Sequence, residues 1–199
     1  MLTDERTHMK ERTTTLNTKR MLAASLKRFM QEKPLSKITV SEIIADCGVN
    51  RKTFYYHFDN IYSLLKWMLE DEAINKLSDA ELTTYYRDVV IYAMNYIQQN
   101  KQLLCSAYDS VSREELKRLF YDDFSSIVTK IIQNHAQELG VTVDAQLEEF
   151  LVHFYTEAIA GLLIDELKMH DAHDPESAVK YLTLVLNDSI TAILKAQAR

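Results

Sequence analysis

The run Asn50-Arg51-Lys52-Thr53-Phe54-Tyr55-Tyr56-His57-Phe58 gathers cationic and hydrogen-bonding side chains into little more than two helical turns. Asn50 is a good N-cap, so a helix starting after it places Arg51 and Lys52 in its first turn. A helix N-terminus offers free N–H groups and a positive dipole end to a phosphate. A guanidinium there can also pair bidentately with a guanine edge, which makes Arg51 the best candidate for reading a base. The competing reading of Arg51 and Lys52 is a solvated charge pair. Catalysis is not expected. His57 has no Ser, Cys or acidic partner arranged with it, so neither a general base nor a metal ligand is read there. The chain has no Gly-rich phosphate loop and no C-x-x-C, H-E-x-x-H or G-x-S-x-G motif.

The surrounding sequence carries the signals needed to position that run. Thr39 and Glu42 form a T-x-x-E capping box. The helix it opens carries Val40, Ile43 and Ile44 and stops at Gly48, where a left-handed residue is wanted. Val49, Phe54 and Phe58 can pack back on this pair, and Asp59 or Asn60 caps the next helix. Two short helices joined by a Gly-containing turn are a helix-turn-helix. Upstream, Leu22, Leu26 and Phe29 repeat at helical spacing with Met30 beside them over residues 17–32, and Pro34 closes that helix. Residues 1–16 show no packing period and read as a flexible basic arm.

Residues 38–65, ITVSEIIADCGVNRKTFYYHFDNIYSLL, resemble the DNA-binding domain of the TetR family. Ile43-Ile44-Ala45, Gly48-Val49 and Thr53-Phe54-Tyr55-Tyr56-His57-Phe58 match that family's pattern in one register, and the likeness extends over about 17–66. The resemblance implies a homodimer on palindromic double-stranded operator DNA, expected to act as a repressor that responds to an effector. It implies further base or groove contacts from Thr53 and Tyr56, and phosphate positioning by Thr39, Asn50, Tyr55 and His57. Family members often carry lysines just after the recognition helix; this chain has Asp59-Asn60-Ile61 there, and Lys10, Arg12, Lys19 and Arg20 of the N-terminal segment are expected to compensate.

The charge distribution agrees with a reader at one end only. The 199-residue chain has a formal net charge of −6, yet residues 1–70 hold 12 Lys and Arg against 8 Asp and Glu. A basic head on an acidic body points to a polyanion meeting the head alone. Three Gly and two Pro argue for long helices. Cys47 and Cys105 read as reduced thiols. The polar N-terminus lacks the apolar core of a signal peptide, and no window approaches the ~18 apolar residues of a membrane span, so a cytoplasmic protein is expected.

The expected fold is all-α: an N-terminal three-helix helix-turn-helix domain over 17–66, joined to a larger helical regulatory and dimerisation domain over 67–199. Helices are expected at about 60–78, 81–99, 101–109, 113–138, 144–169 and 176–197. In the last of these the apolar residues cover more than one face, so it must be buried on two sides. The resemblance implies that the last two helices form a four-helix bundle with a second copy. Leu151, Phe154, Ala158, Leu162, Leu182, Leu186, Ile190 and Ile193 are the expected interface, with Ala160 and Gly161 allowing close helix approach. Tyr92, Tyr96, Phe120, Phe124, His153 and Tyr155 are candidate contacts for a small organic effector; the same aromatics also fit an ordinary core stripe. The run His170-Asp171-Ala172-His173-Asp174 reads as a hydrated loop rather than a metal site, and no cofactor is expected. The tail from Gly161 to Glu176 is loosely similar to a Firmicutes group of TetR-like proteins. That group includes an activator of dihydroxyacetone-kinase genes that senses a partner protein, so a protein co-regulator is the alternative to a small effector. Asp165-Glu166-Leu167 stands where the group has a Trp.

Overall fold

The computed structural model describes residues 2–75, 86–167 and 175–198. Among them are nine α-helices and no strand. The chain divides into two compact units, Met1–Glu70 and Asp71–Arg199.

Unit 1 contains α1 (Leu2–Glu32), a 3-10 turn (Leu35–Lys37), α2 (Val40–Cys47), α3 (Arg51–His57) and α4 (Ile61–Leu69). Here α1 begins at Leu2 rather than near residue 17. The segment read as an arm is helical because no Gly or Pro interrupts it and Glu, Arg, Lys, Met and Leu are good helix formers. An apolar period is needed for packing, not for helicity, so its absence misled the sequence reading. The packing stripe starts at Leu22 as expected, but Phe29 is only half-buried and Met30 takes its place: Leu22, Leu26 and Met30 are buried with Leu35, Ile43, Phe54, Leu64, Leu65 and Met68. Helix α1 lies against α2 and α4, and α2 lies against α3. Two polar ties add to this core. Ser25, itself buried, donates to Asp46 Oδ2 at 2.6 Å, and Arg28 pairs with the same carboxylate.

After α4 the chain runs into a π turn, Glu70–Ile74. Two tyrosines of α5 (Tyr86–Gln99) hold it: Tyr92 donates its hydroxyl to the Glu72 carbonyl at 3.1 Å, and Tyr96 to Glu72 Oε2 at 3.2 Å. Burial and the Glu72 carboxylate push the Tyr96 phenol above its ordinary range.

The remainder of unit 2 is α6 (Lys101–Ser110), α7 (Arg113–Leu139), α8 (Ala145–Glu166) and α9 (Pro175–Gln197). Helix α8 packs on α7, and α9 packs on α5 and α7. Local signals set the ends. Ser112 caps α7 by accepting from the Glu115 N–H, Gly140 ends it at φ 65°, and Asp144 caps α8 through Gln146 and Leu147. Pro175 is the first residue of α9, as expected from its missing N–H; Asp174, the expected cap, lies outside the described residues.

Candidate nucleic-acid interface

The back of α3 fixes what its front can do. Phe54 is completely buried and Phe58 nearly so, with their rings 6.0 Å apart. One turn of an α-helix cannot bury all its residues against one neighbour, so Arg51, Lys52, Tyr55 and Tyr56 face outward. Tyr56 is 79% exposed, more than any other large apolar or aromatic side chain described. Tyr55, which could have been core, is instead half exposed and touches Phe54 edge-on at 5.5 Å. Lys52 is exposed and has no ion pair, whereas Arg28 and Lys33 are neutralised by Asp46 and Glu42. Arg51 and Lys52, at the start of α3, have no ion pair among the described residues.

Thr39, Asn50 and Asn60 all cap, as their types and spacing predict. Thr39 accepts the Glu42 N–H and the Glu42 side chain accepts the Thr39 N–H, a complete capping box. The Thr39 hydroxyl also donates to Glu42 at 2.9 Å, so it is committed inside the box. Lys33, then the Thr39 N–H and hydroxyl, hold the Glu42 carboxyl down to about 2. Gly48 takes φ 64° and turns the chain. Asn50 Oδ1 accepts both the Thr53 N–H at 2.8 Å and the Thr53 hydroxyl at 3.1 Å. Thr53, expected at the groove, thus spends its proton on the cap and has its methyl group and lone pairs left. Asn60, not Asp59, caps α4, in a reciprocal pair with Ser63.

His57 lies partly buried with its pKa lowered, first by burial and then by the nearby Lys19. Both influences favour the neutral imidazole, which can donate a hydrogen bond to a phosphate. The Lys19 ammonium sits 5.5 Å from the ring centres of both Phe58 and Trp67, a cation–π notch. One residue that sequence reasoning missed stands in the interface. Ser41, on the first turn of α2, accepts a hydrogen bond from Arg51 Nη2 at 2.9 Å. No local pattern marks a contact between residues ten apart across a turn.

In unit 2 the expected effector residues do not converge. Tyr92 and Tyr96 are occupied with Glu72. His153 is exposed and bonded through Nδ1 to the Tyr121 hydroxyl at 2.7 Å, and buried Tyr155 bonds Ser189 at 2.7 Å. Phe120 is core, and Phe124 lines an apolar cavity of about 50 Å³ shared with Val90, Ile127, Leu163 and Leu186. A larger recess of about 830 Å³ is an open groove of mixed character between α5 and α9, with Arg87, Met94, Glu176, Lys180 and Leu184 among its walls.

The expected dimer stripe splits in two. Phe154, Ala158 and Leu162 are exposed, and Leu182 and Ile193 are half-buried. Leu151, Leu186 and Ile190, expected at the dimer interface, are buried within the protomer's own core. A spacing of three and four cannot say which side of an all-apolar helix meets its own core. The uncovered apolar residues are Phe150, Phe154 and Leu162 on α8 and Tyr181, Leu184 and Val185 on α9, with the Phe150 and Phe154 rings stacked 6.1 Å apart. Within the protomer, the group nearest to a Cβ at Gly161 is the Arg113 guanidinium, which forms a two-pronged pair with Asp165.

Both cysteines are free, and burial raises the Cys47 pKa, which keeps that thiol protonated. No cluster placed to hold a metal occurs among the described residues; His170–Asp174 lies outside them. No described helix is long and apolar enough to cross a membrane.

Comparison with known proteins agrees with this architecture. Residues 22–68 match the family model for bacterial regulatory proteins of the tetR family, and residues 84–188 match a transcriptional regulator C-terminal region. The chain belongs to the TetR family of transcriptional regulators, which are not enzymes. The dhaKLM operon transcriptional activator DhaS of Lactococcus lactis is 20% identical over 145 residues, 73% of this chain and 76% of that protein. A solved structure of a dihydroxyacetone kinase operon activator DhaS superposes with a TM-score of 0.65 at 18% identity, covering 90% of this chain and 97% of that one. A TetR regulator from Streptococcus agalactiae gives 0.60 at 22% identity, covering 90% and 98%. At these identities the solved structures show the shared fold.

Proposed function

We propose that this regulator binds a palindromic operator as a homodimer. Each protomer inserts α3 into a major groove, and the protomers join through the exposed apolar face of α8 and α9. The observation that carries the reading is the outward display of Arg51, Lys52 and Tyr56 on a helix locked from behind by Phe54 and Phe58. Arg51 reads a base, because a guanidinium in the first turn of a recognition helix reaches a guanine edge. Thr39 and Asn50 act by holding the helix ends and their backbone N–H groups toward phosphates, and Tyr55 and His57 contact the backbone as hydrogen-bond donors. Recovery of a site from a randomised duplex library, followed by gel shift, tests this. Arg51→Ala should cost about 1–3 kcal/mol at the recovered site and relax preference at one base pair per half-site. Equal weakening on cognate and random DNA would remove the base-reading role.

For control, a partner protein has more support than release of a repressor by a small organic effector. Ligand pockets are commonly about 300–1,000 Å³ and enclose most of their ligand. Among the described residues, the cavity lined by Phe124 is about 50 Å³, and the six candidate effector residues are dispersed. The DhaS relative is an activator by name. Activation rather than repression is accordingly the sign favoured here, and a reporter fused to the operator, with and without this gene, decides it.

A further inference from the structure

Arg51 is a long side chain on the first residue of a short, exposed helix, and its guanidinium sits at the end of several rotatable bonds. Such a group carries among the largest side-chain entropies of any residue, all of which must be surrendered to hold one base edge. Arg28 is fastened to Asp46 and Arg113 to Asp165, whereas Arg51 meets no carboxylate among the described residues. A carboxylate would order it but would also neutralise it in front of a polyanion. What Arg51 meets is the neutral hydroxyl of Ser41, across the turn, at 2.9 Å from Nη2.

We propose that Ser41 is a positioning residue that fixes the Arg51 guanidinium for base reading while leaving its charge free. The chemistry of the fork permits both at once. Nη2 carries two protons, and Ser41 Oγ accepts one. The other Nη2 proton and those on Nη1 remain for the paired acceptors of a guanine edge. Ser41 is itself anchored, since it lies on the first turn of α2, within the span closed by the Thr39–Glu42 capping box. The order imposed on Arg51 is therefore that of the helix-turn-helix core.

This inference rests on the base-reading role of Arg51, and the experiment separates the two. The probe is the site that the wild-type protein recovers from a randomised duplex library, with a scrambled duplex as control. Ser41→Ala should lose about 3- to 10-fold in affinity for the recovered site, the effect of one hydrogen bond. It should broaden preference at the same base pair as Arg51→Ala and leave the scrambled duplex unaffected. Ser41→Thr, which keeps the hydroxyl, should restore both. In an Arg51→Ala background Ser41→Ala should change affinity less than about 2-fold, because the two act as one unit. Thermal melting of Ser41→Ala should match wild type, since the side chain is exposed. If Ser41→Ala weakens both duplexes equally and additively with Arg51→Ala, Ser41 is a backbone contact and the proposal fails. It also fails if Ser41→Ala has no effect while Arg51→Ala relaxes the base preference. If Arg51→Ala leaves preference intact, or no site is recovered, the base-reading role falls and the positioning role falls with it.

Discussion

Val185 and Leu186 are neighbours in sequence and opposites in surroundings, so one charge placed at each gives a sharp test of how unit 2 is used. Val185 is 56% exposed in the protomer and Leu186 is 4% exposed. Leu186→Glu removes a packed side chain, worth about 2–5 kcal/mol by truncation alone. It also leaves a carboxylate without a partner among Val89, Ile127 and Leu163, at a further cost of several kcal/mol. Against a total stability of about 5–15 kcal/mol this should unfold unit 2. Val185→Glu disturbs no protomer packing, so the isolated protomer should change by about 0.5 kcal/mol or less. In a dimer closed through α8 and α9 it buries a charge from each subunit. A cost of about 3 kcal/mol corresponds to roughly a hundred-fold rise in dimer Kd. Sedimentation equilibrium and thermal melting, run on both variants, read the two effects separately. The reasoning is refuted if Val185→Glu keeps the wild-type dimer Kd, or if Leu186→Glu melts like wild type.

Two further outcomes follow from unit 1. The Glu42 carboxyl is held at about 2 against an ordinary 4.5, so its contribution to stability is present above about pH 4.5 and is lost as pH falls toward 2. Wild type should lose stability more steeply than Glu42→Gln over that window in thermal melts, and parallel curves would show that the Lys33 and Thr39 contacts contribute nothing. Gly48→Ala meets open space but must adopt φ 64°, so it should destabilise by about 1 kcal/mol through backbone conformation alone, with Gly48→Asn milder; a neutral Gly48→Ala in denaturant melts would contradict this.

What was legible in the sequence was what is local. The Thr39–Glu42 box, Asn50 as a cap, and Gly48 and Gly140 as left-handed stops each act within four residues, so residue type and spacing specify them. The outward face of α3 was readable for the same reason: Phe54 and Phe58 name its back. What was not legible depends on partners distant in the chain. The sequence pattern cannot place Ser41 beside Arg51, set Tyr92 and Tyr96 on Glu72, or divide Val185 from Leu186 on a helix apolar nearly all round. The helical start of α1 was missed because periodicity reports packing, and residues 2–16 need only propensity to be helical.

The notch in which Lys19 lies over Phe58 and Trp67 has a spectroscopic consequence. Trp67 is the chain's only tryptophan, and it belongs to the DNA-binding unit. Emission excited at the red edge of the absorption band therefore comes from that unit alone, while the eleven tyrosines are spread along both. The indole packs beside the buried Phe58 ring and the Lys19 ammonium, so its emission should shift when the α1–α3–α4 packing loosens. Circular dichroism, by contrast, sums every helix. The two signals together resolve whether the reader and the body of this regulator unfold as one cooperative block or as two.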